Sequence, residues 1–253
     1  MRRTVRDTAL VIERRVLGES DRVVVLLARR SGKLSAVAPA GRRSRKRFGG
    51  CLELFARIEV DLVDRGRGGL WRLAEASLQT SHPGIRRDLV AIAHAGYLSE
   101  LTAALLREGE EAAAAFDLLA GALGRLEQGP LAALNLRRFE LALLALSGLA
   151  PRLDACALCG AERAERWRFD HEAGGLVCAA CVPGPHAEPL PATAAALLRA
   201  LQADRPPTDS EAADRRAVRA LLARVIDQHV GRPLKARRFL EQLAREAGCA
   251  GTE

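Results

Sequence analysis

Residues 52–63 read LELFARIEVDLV. From Leu54 to Leu62 every second residue is apolar, and most of the residues between them are polar or charged. Alternate side chains of a strand point to opposite faces, so this pattern indicates a β-strand with one buried face. We therefore predict a strand over residues 52–63.

The first 80 residues contain further runs rich in Val, Ile and Leu. Gly18 to Ser20 and Arg30 to Gly32 separate the early runs, and residues 66–69 are predicted to form a hairpin loop before the last one. The additional predicted strands are Thr8–Val16, Asp21–Ala28, Leu34–Ala38 and Leu70–Leu78. Five short strands in about 75 residues predict a small closed barrel of the OB-fold type.

The hydrophobic period changes after Ser81. Apolar residues now recur at helical spacing, beginning with Leu89, Ile92 and Tyr97. Further helices are predicted at Ala112–Leu126, Leu131–Ser147, Ala192–Gln202, Glu211–His229 and Pro233–Ala247. The predicted fold class is α+β and multidomain, with an OB-fold over 1–80, a helical domain over 81–253 and a zinc module over 154–185 inserted in it.

Four cysteines form two close pairs. Cys156 and Cys159 are separated by two residues, as are Cys178 and Cys181, and 18 residues lie between the pairs. This spacing is typical of a four-cysteine zinc site, in which each tight turn supplies two thiolates. Four thiolates leave no position for water, so we predict a structural Zn²⁺. The alternatives are coincidental pairs of buried cysteines or a redox dithiol.

Positive charge is concentrated at one end of the chain. The 253 residues carry a formal net charge of +8. Residues 1–50 hold 14 Lys and Arg against 4 Asp and Glu, whereas the remainder holds 25 against 27. An excess this localised is typical of a surface that binds a polyanion.

The segment from Gly41 to Gly50, hereafter the basic loop, carries five cations and no acid. A mobile cationic loop suits the phosphate backbone of nucleic acid, and Phe48 and Phe55 are candidate stacking faces. The predicted DNA-binding residues of the loop are Arg42, Arg43, Arg45, Lys46 and Arg47. Four cations outside the loop extend this positive surface and are also predicted to bind DNA: Arg22, Arg29, Arg30 and Lys33. The alternative is a solvated charged loop with no ligand.

Compartment is predicted from the apolar runs and the cysteines. The run from Ala9 to Ile12 is followed at once by charged residues, so we predict no signal peptide. The longest apolar stretches, such as Leu141–Leu146, are far shorter than the roughly 18 residues of a membrane span. Paired cysteines fit metal binding in a reducing compartment. We expect a soluble, cytoplasmic, nucleoid-associated protein without a membrane partner.

No enzymatic motif is visible. The sequence contains neither a phosphate-binding Gly-x-x-x-x-Gly-Lys-Ser/Thr loop nor a nucleophile elbow nor a His-Glu-x-x-His helix. A zinc deaminase is rejected because His186 and Glu188 follow both cysteine pairs. The histidines are predicted as surface or helix-end residues: His82, His94, His171, His186 and His229. We predict no catalytic residue and no enzyme.

Several stretches resemble the RecO family of recombination mediators. Residues 16–27 (VLGESDRVVVLL), 31–38 (SGKLSAVA), 41–43 (GRR) and 47–50 (RFGG) follow its N-terminal pattern in order and spacing. Residues 231–240 (GRPLKARRFL) are similar to its Pro-Leu-Lys-Ser-Arg stretch, with Ala236 in place of the serine.

The resemblance implies an OB-fold, a helical domain and a zinc insertion. It also implies binding of single- and double-stranded DNA, annealing of complementary strands, association with RecR and SSB, and help in loading RecA, with RecF as a further candidate partner. On this interpretation the cations of the basic loop bind the phosphate backbone of DNA. Lys235 and Arg237 are further candidate DNA-binding residues. Two alternatives stay open: a zinc-ribbon RNA- or ribosome-associated protein, and a metal-dependent nucleic-acid-processing enzyme with dispersed acids.

Overall fold

The computed structural model describes residues 4–41, 44–64, 70–182, 184–205 and 209–249. The chain divides into two compact units, one of residues 1–131 with 234–253 and the other of residues 132–233. Each unit is described by itself. The domain boundaries predicted from the sequence follow a different division and stay predictions.

The strands of the first unit close into a barrel. They are β1 Thr4–Leu17, β2 Asp21–Ala28, β3 Gly32–Ala38, β4 Arg57–Val63 and β5 Leu70–Thr80, in the order β1-β2-β3-β5-β4. All neighbours are antiparallel except β3 and β5. Alternate residues such as Val24, Leu34, Ile58 and Leu62 fill the interior, as the period of two requires. The predicted five-stranded barrel is confirmed.

The strand predicted over 52–63 is wrong in its first five residues, because β4 begins at Arg57. Phe55 has a φ of 69°, which no strand residue adopts. Its N–H donates to the carbonyl of Val11 at 2.9 Å, and the Val11 N–H donates to Ala56 at 3.0 Å. Leu52 and Phe55 are nevertheless buried. The alternation before residue 57 therefore comes from an irregular segment that packs into the core.

Helices account for most of the remaining chain. They are α1 Arg45–Phe48, α2 Leu89–Leu105, α3 Ala113–Leu126, α4 Ala133–Leu146, α5 Ala192–Gln202, α6 Ala212–Val230 and α7 Lys235–Cys249. Helix α1 lies within the basic loop, so the prediction of a plain loop there is wrong. The Ser44 hydroxyl caps this helix by accepting the Arg47 N–H at 3.4 Å.

In the first unit, α2 packs against α3, α7 and the barrel strand β1. Asp88 is the N-cap of α2, and its side chain accepts the Ala91 N–H at 2.9 Å. Two histidines predicted at the surface are buried instead, which corrects that prediction. His94 is 7% exposed and its Nδ1 accepts the Leu131 N–H at 3.2 Å, and His82 is 8% exposed.

In the second unit, α4, α5 and α6 pack together. Between α4 and α5 the chain forms a three-stranded antiparallel sheet of β6 Trp167–Asp170, β7 Gly175–Cys178 and β8 Glu188–Leu190, in the order β7-β6-β8. The sheet carries the second cysteine pair at the end of β7. Among the described residues, no helix has both the length and the apolar character needed to cross a membrane. The cytoplasmic location stays a prediction.

Candidate metal centre and nucleic-acid interface

The four predicted metal ligands meet in one cluster. The Sγ atoms of Cys156, Cys159, Cys178 and Cys181 all lie within 4.8 Å of one another. The separation is 3.9 Å for Cys156–Cys181 and 3.7 Å for both Cys159–Cys178 and Cys178–Cys181. Four sulfur atoms about 2.3 Å from a tetrahedral Zn²⁺ would lie about 3.8 Å apart. The cluster therefore has the dimensions of a four-sulfur metal site.

Each pair lies on a tight turn that a backbone hydrogen bond closes. Gly160, at a φ of 77°, donates to the Cys156 carbonyl at 2.9 Å, and the Cys181 N–H donates to the Cys178 carbonyl at 3.2 Å. Burial raises the pKa of Cys156, but backbone N–H groups, including those of Cys159 and Cys178, outweigh it and lower the pKa to about 6. The thiolate is the form that binds metal.

Helix α5 contacts the β7-β6-β8 sheet, which lies beside the cysteine cluster. Trp167 and Phe169 of β6 are buried. The Arg199 guanidinium lies 4.6 Å from the centroid of the Trp167 ring, and its Nε donates to the Leu153 carbonyl at 2.5 Å. A single α5 side chain therefore contacts the segment before the first cysteine pair and the strand between the pairs.

A buried carboxylate holds the segment that follows the second pair. Asp170 is 2% exposed and accepts the N–H of Gly184 at 2.7 Å and that of Ala173 at 3.1 Å. These hydrogen bonds, that from Gly184 first, lower the pKa of Asp170. A Cβ on Gly184 would lie 3.1 Å from Oδ2 of this carboxylate, so the close approach favours glycine.

The arginines of the turn between β2 and β3 are paired with carboxylates. Arg29 contacts Asp117 through Nε at 3.1 Å and Nη2 at 2.8 Å. Arg30 lies 3.6 Å from the buried Asp7, which also accepts the Ser31 N–H at 2.8 Å. The Arg30 side chain is 72% exposed. Backbone N–H groups of Arg30 and Ser31 also donate to the buried Asp7, so the exposed Arg30 guanidinium stays accessible to a ligand.

Lys33 has a structural contact at the end of α2. Its Nζ donates to the Ala103 carbonyl at 2.7 Å, and its own carbonyl accepts the Gly109 N–H at 3.0 Å. A cation at this end of a helix satisfies terminal carbonyls and complements the helix dipole. A DNA contact by Lys33 stays a prediction.

The remaining barrel cations differ in their surroundings. Arg22 lies 3.7 Å from Glu53, and Arg47 donates to the Pro39 carbonyl at 2.8 Å while lying 5.1 Å from the Phe48 ring centroid. Arg47 therefore holds the basic loop in shape. Arg42 and Arg43 lie outside the described residues, as do the side chains of Arg45 and Lys46.

The motif near the C-terminus anchors α7. Glu100 of α2 accepts the N–H of Lys235 at 3.1 Å and that of Ala236 at 2.8 Å. The carboxylate thereby caps the first turn of α7. The Lys235 side chain is exposed, whereas Arg237 lies 4.0 Å from Glu241 and is 19% exposed. DNA contacts by these two cations stay predictions.

The predicted stacking faces are wrong. Phe48 is 3% exposed and packs in the barrel core, and Phe55 is 7% exposed, so neither ring presents a free face for stacking. An aromatic residue that does line an open cavity is Trp71, at the start of β5. Sequence reasoning missed it, although a tryptophan beside a predicted hairpin loop is a usable signal.

Trp71 lines a cavity of about 810 Å³ beside the barrel. Strands β1, β3 and β5, the β2–β3 turn and the segment between α2 and α3 contribute its walls. The lining includes the apolar side chains Val5, Leu34 and Trp71, the cations Arg6, Arg30 and Lys33, and the acid Glu108. Arg6 was also missed, since it lies outside the basic loop.

Comparisons with known proteins agree with this architecture. Residues 1–82 match the family model described as Recombination protein O N terminal, and residues 86–238 match Recombination protein O C terminal. Proteins named DNA repair protein RecO from Anaeromyxobacter dehalogenans strain 2CP-C and Myxococcus xanthus strain DK1622 are 42% and 41% identical over 245 and 239 residues. The alignments cover 94% of this chain and 96% and 97% of those relatives. The RecO protein of Geobacter sulfurreducens is 39% identical over 247 residues, with 94% and 98% covered. The chain belongs to the RecO family.

Proposed function

We propose that this protein is a recombination mediator in gap and double-strand break repair. It binds single- and double-stranded DNA, anneals complementary strands and helps RecA load onto DNA coated with SSB. The single observation that supports this most is the charge of the first 50 residues, 14 Lys and Arg against 4 Asp and Glu, in a closed barrel of a RecO-family chain.

Annealing needs little chemistry from the protein. Two strands repel each other through their phosphates, and cations that neutralise those phosphates remove most of the barrier. Exposed arginines such as Arg6 and Arg30, at 71% and 72% exposure, suit this task because they reach phosphates without burial. The protein then acts as a scaffold for two strands, and no catalytic residue takes part.

The metal centre supports the second unit. The four thiolates would hold Zn²⁺ in a closed tetrahedron, where the ion has no free position for a substrate or water. Zinc binding supplies folding free energy to a short segment that has little core of its own. We assign the ion this structural role and no part in DNA chemistry.

Family membership supports a proposal for the partners. The proposed set is single- and double-stranded DNA, RecR, SSB, RecF and RecA. Pull-down of each purified partner by the full chain, at moderate ionic strength and with nuclease added, separates direct protein contacts from bridging by DNA.

A strand-annealing assay tests the proposal. Glutamine replaces Arg42, Arg43, Arg45 and Lys46 in one variant, and Arg47 is retained because it holds the loop through Pro39. The matched control replaces four exposed arginines of the second unit: Arg166, Arg205, Arg216 and Arg219. Both variants lose the same charge. We expect a large loss of annealing only in the first, with zinc content and thermal unfolding unchanged in both.

Two further arms address the alternatives. Competition between RNA and single-stranded DNA of equal length distinguishes a DNA protein from an RNA-associated one, and preference for RNA would replace the proposal. Incubation of labelled DNA with Mg²⁺ or Mn²⁺ tests for a nuclease. Sustained cleavage by the purified protein, lost after mutation of an acidic residue, would assign an enzyme instead.

A further inference from the structure

We infer that the cavity beside Trp71 receives an unpaired base of single-stranded nucleic acid, with the indole as its stacking face. The inference rests on the proposed function, because it locates the contact that separates single strands from duplex. It assigns no role to the basic loop, which would contact phosphates of either form.

The barrel core and strand β3 hold the Trp71 indole in position. Trp71 is paired with Ala36 in the parallel register of β3 and β5, and it packs partly against the barrel core. Leu34, which lines the same cavity, is 3% exposed. A ring fixed in this way loses little conformational entropy when a base stacks on it, and stacking on an aromatic face tolerates every base.

The size of the cavity suits a nucleotide. Small-molecule sites are typically about 300–1,000 Å³, and this cavity is about 810 Å³. Its walls combine an aromatic ring, apolar side chains and cations, which is the combination that single-strand-binding surfaces use.

Two arginines at the cavity are neighbours. The Arg30 guanidinium donates a hydrogen bond to the backbone carbonyl of Arg6. It therefore lies next to the backbone from which the Arg6 side chain extends. Arg6 also contacts Glu59 at 2.8 Å, but this pair is mostly exposed and therefore weak. A phosphate can take the place of the carboxylate. The nucleotide's phosphate would thus meet Arg6 and Arg30 while its base stacks on Trp71.

An acid in the lining adds selectivity. Glu108 accepts a hydrogen bond from the Ser35 hydroxyl at 3.3 Å. A carboxylate disfavours a phosphate beside it, because both groups are negatively charged. The cavity as a whole therefore suits a base better than a second phosphate.

A duplex cannot use this cavity without breaking its own stack. Bases in a double helix present edges, not faces, and extruding one costs unstacking and unpairing free energy. The Trp71 contact should therefore strengthen single-strand binding and leave duplex binding to the phosphate contacts.

The chain contains only two tryptophans, Trp71 and Trp167, so fluorescence can report on this site. Trp167 is 5% exposed in the second unit. In the full-length Trp167→Phe protein, the single remaining indole is Trp71. Titration with a fifteen-nucleotide oligo-dT should quench it in a saturable manner, whereas a blunt duplex of equal length should bind with little quenching.

Affinity measurements on variants provide a readout that a purely structural role would not change. Trp71→Phe keeps a stacking ring, and Trp71→Leu keeps an apolar side chain against the core. We expect Trp71→Leu to weaken oligo-dT binding about 10-fold and duplex binding less than about twofold, with Trp71→Phe near the wild type. Arg6→Gln should reduce the salt slope of oligo-dT binding by about 0.7. Its control is Arg15→Gln, another exposed, Glu-paired arginine of β1 that does not line the cavity.

The outcomes separate the two proposals. If oligo-dT binds by anisotropy but leaves Trp71 fluorescence and the Trp71→Leu affinity unchanged, the cavity is not the base site, and the proposed function stands. If Trp71→Leu weakens single strand and duplex equally, stacking is likewise excluded. If no oligonucleotide binds at low salt, the proposed function fails first and the inference with it.

Discussion

Gly32 lies so close to the backbone of Glu110 that a Cβ built on it would be 1.8 Å from the Glu110 carbonyl oxygen. Gly32 also has a φ of 70°. The turn between β2 and β3 is therefore seated against the segment that joins α2 to α3, and Lys33 adds its contact to Ala103 at the same place. At this point the barrel of the first unit contacts the end of α2 and the segment after it, and backbone atoms make much of the contact.

Gly32→Ala should lower the free energy of unfolding by about 2–5 kcal/mol, because the methyl group displaces a backbone and the φ is strained. Gly18→Ala is the matched control: its φ is 59° and nothing lies within 4 Å of a Cβ there. It should cost about 1 kcal/mol. Urea denaturation of both variants measures the difference. Equal losses would show that the Glu110 contact is unimportant.

Cys159→Ser should abolish stoichiometric zinc binding, because a hydroxyl replaces one of four thiolates in a closed site. Elemental analysis of the purified protein should give one Zn²⁺ per chain for the wild type and much less for the variant, with a lower melting temperature. Cys51→Ala serves as the control, since Cys51 is a buried thiol outside the cluster. Full zinc occupancy in Cys159→Ser would remove this residue from the ligand set.

His82→Asn should reduce the acid sensitivity of folding. Burial lowers the pKa of His82, and Arg57 adds to this while Glu127 opposes it. The unfolded state therefore takes up a proton more readily as pH falls below about 6.5, and the free energy of unfolding decreases there. Asparagine tolerates the positive φ of 49° at this position and does not titrate.

The measurement is the difference in unfolding free energy between wild type and His82→Asn at about pH 7.5 and about pH 5.5. Effects common to both proteins, such as release of zinc in acid, cancel in this difference. The advantage of the wild type should shrink in acid. A difference that stays constant or grows would mean that His82 is protonated without penalty in the folded state.

Local patterns predict the parts of this protein that depend on neighbours in sequence. The strand alternation gives the barrel, and the spacing of Cys156, Cys159, Cys178 and Cys181 gives the cluster, because two tight turns need only short segments. Helix α5 is predicted to the residue, Ala192–Gln202.

Contacts between distant residues are what the patterns miss. The carboxylate that pairs with Arg30 comes from Asp7, and the carbonyl that binds Lys33 comes from Ala103, 70 positions away. Phe48 and Phe55 are candidate stacking faces by sequence, but the folded chain buries both. Trp71 gains its importance from a cavity that no single segment forms.

The central claim is that the cations of the amino-terminal barrel hold nucleic acid. Its most direct test is the affinity of the full chain for a single-stranded oligonucleotide across a series of salt concentrations. The account predicts tight binding at low salt and a linear fall of log K with log salt. It also predicts a slope smaller by about 3 in the variant lacking Arg42, Arg43, Arg45 and Lys46, at about 0.7 per phosphate contact. No binding at low ionic strength, or the same slope in both proteins, would contradict it.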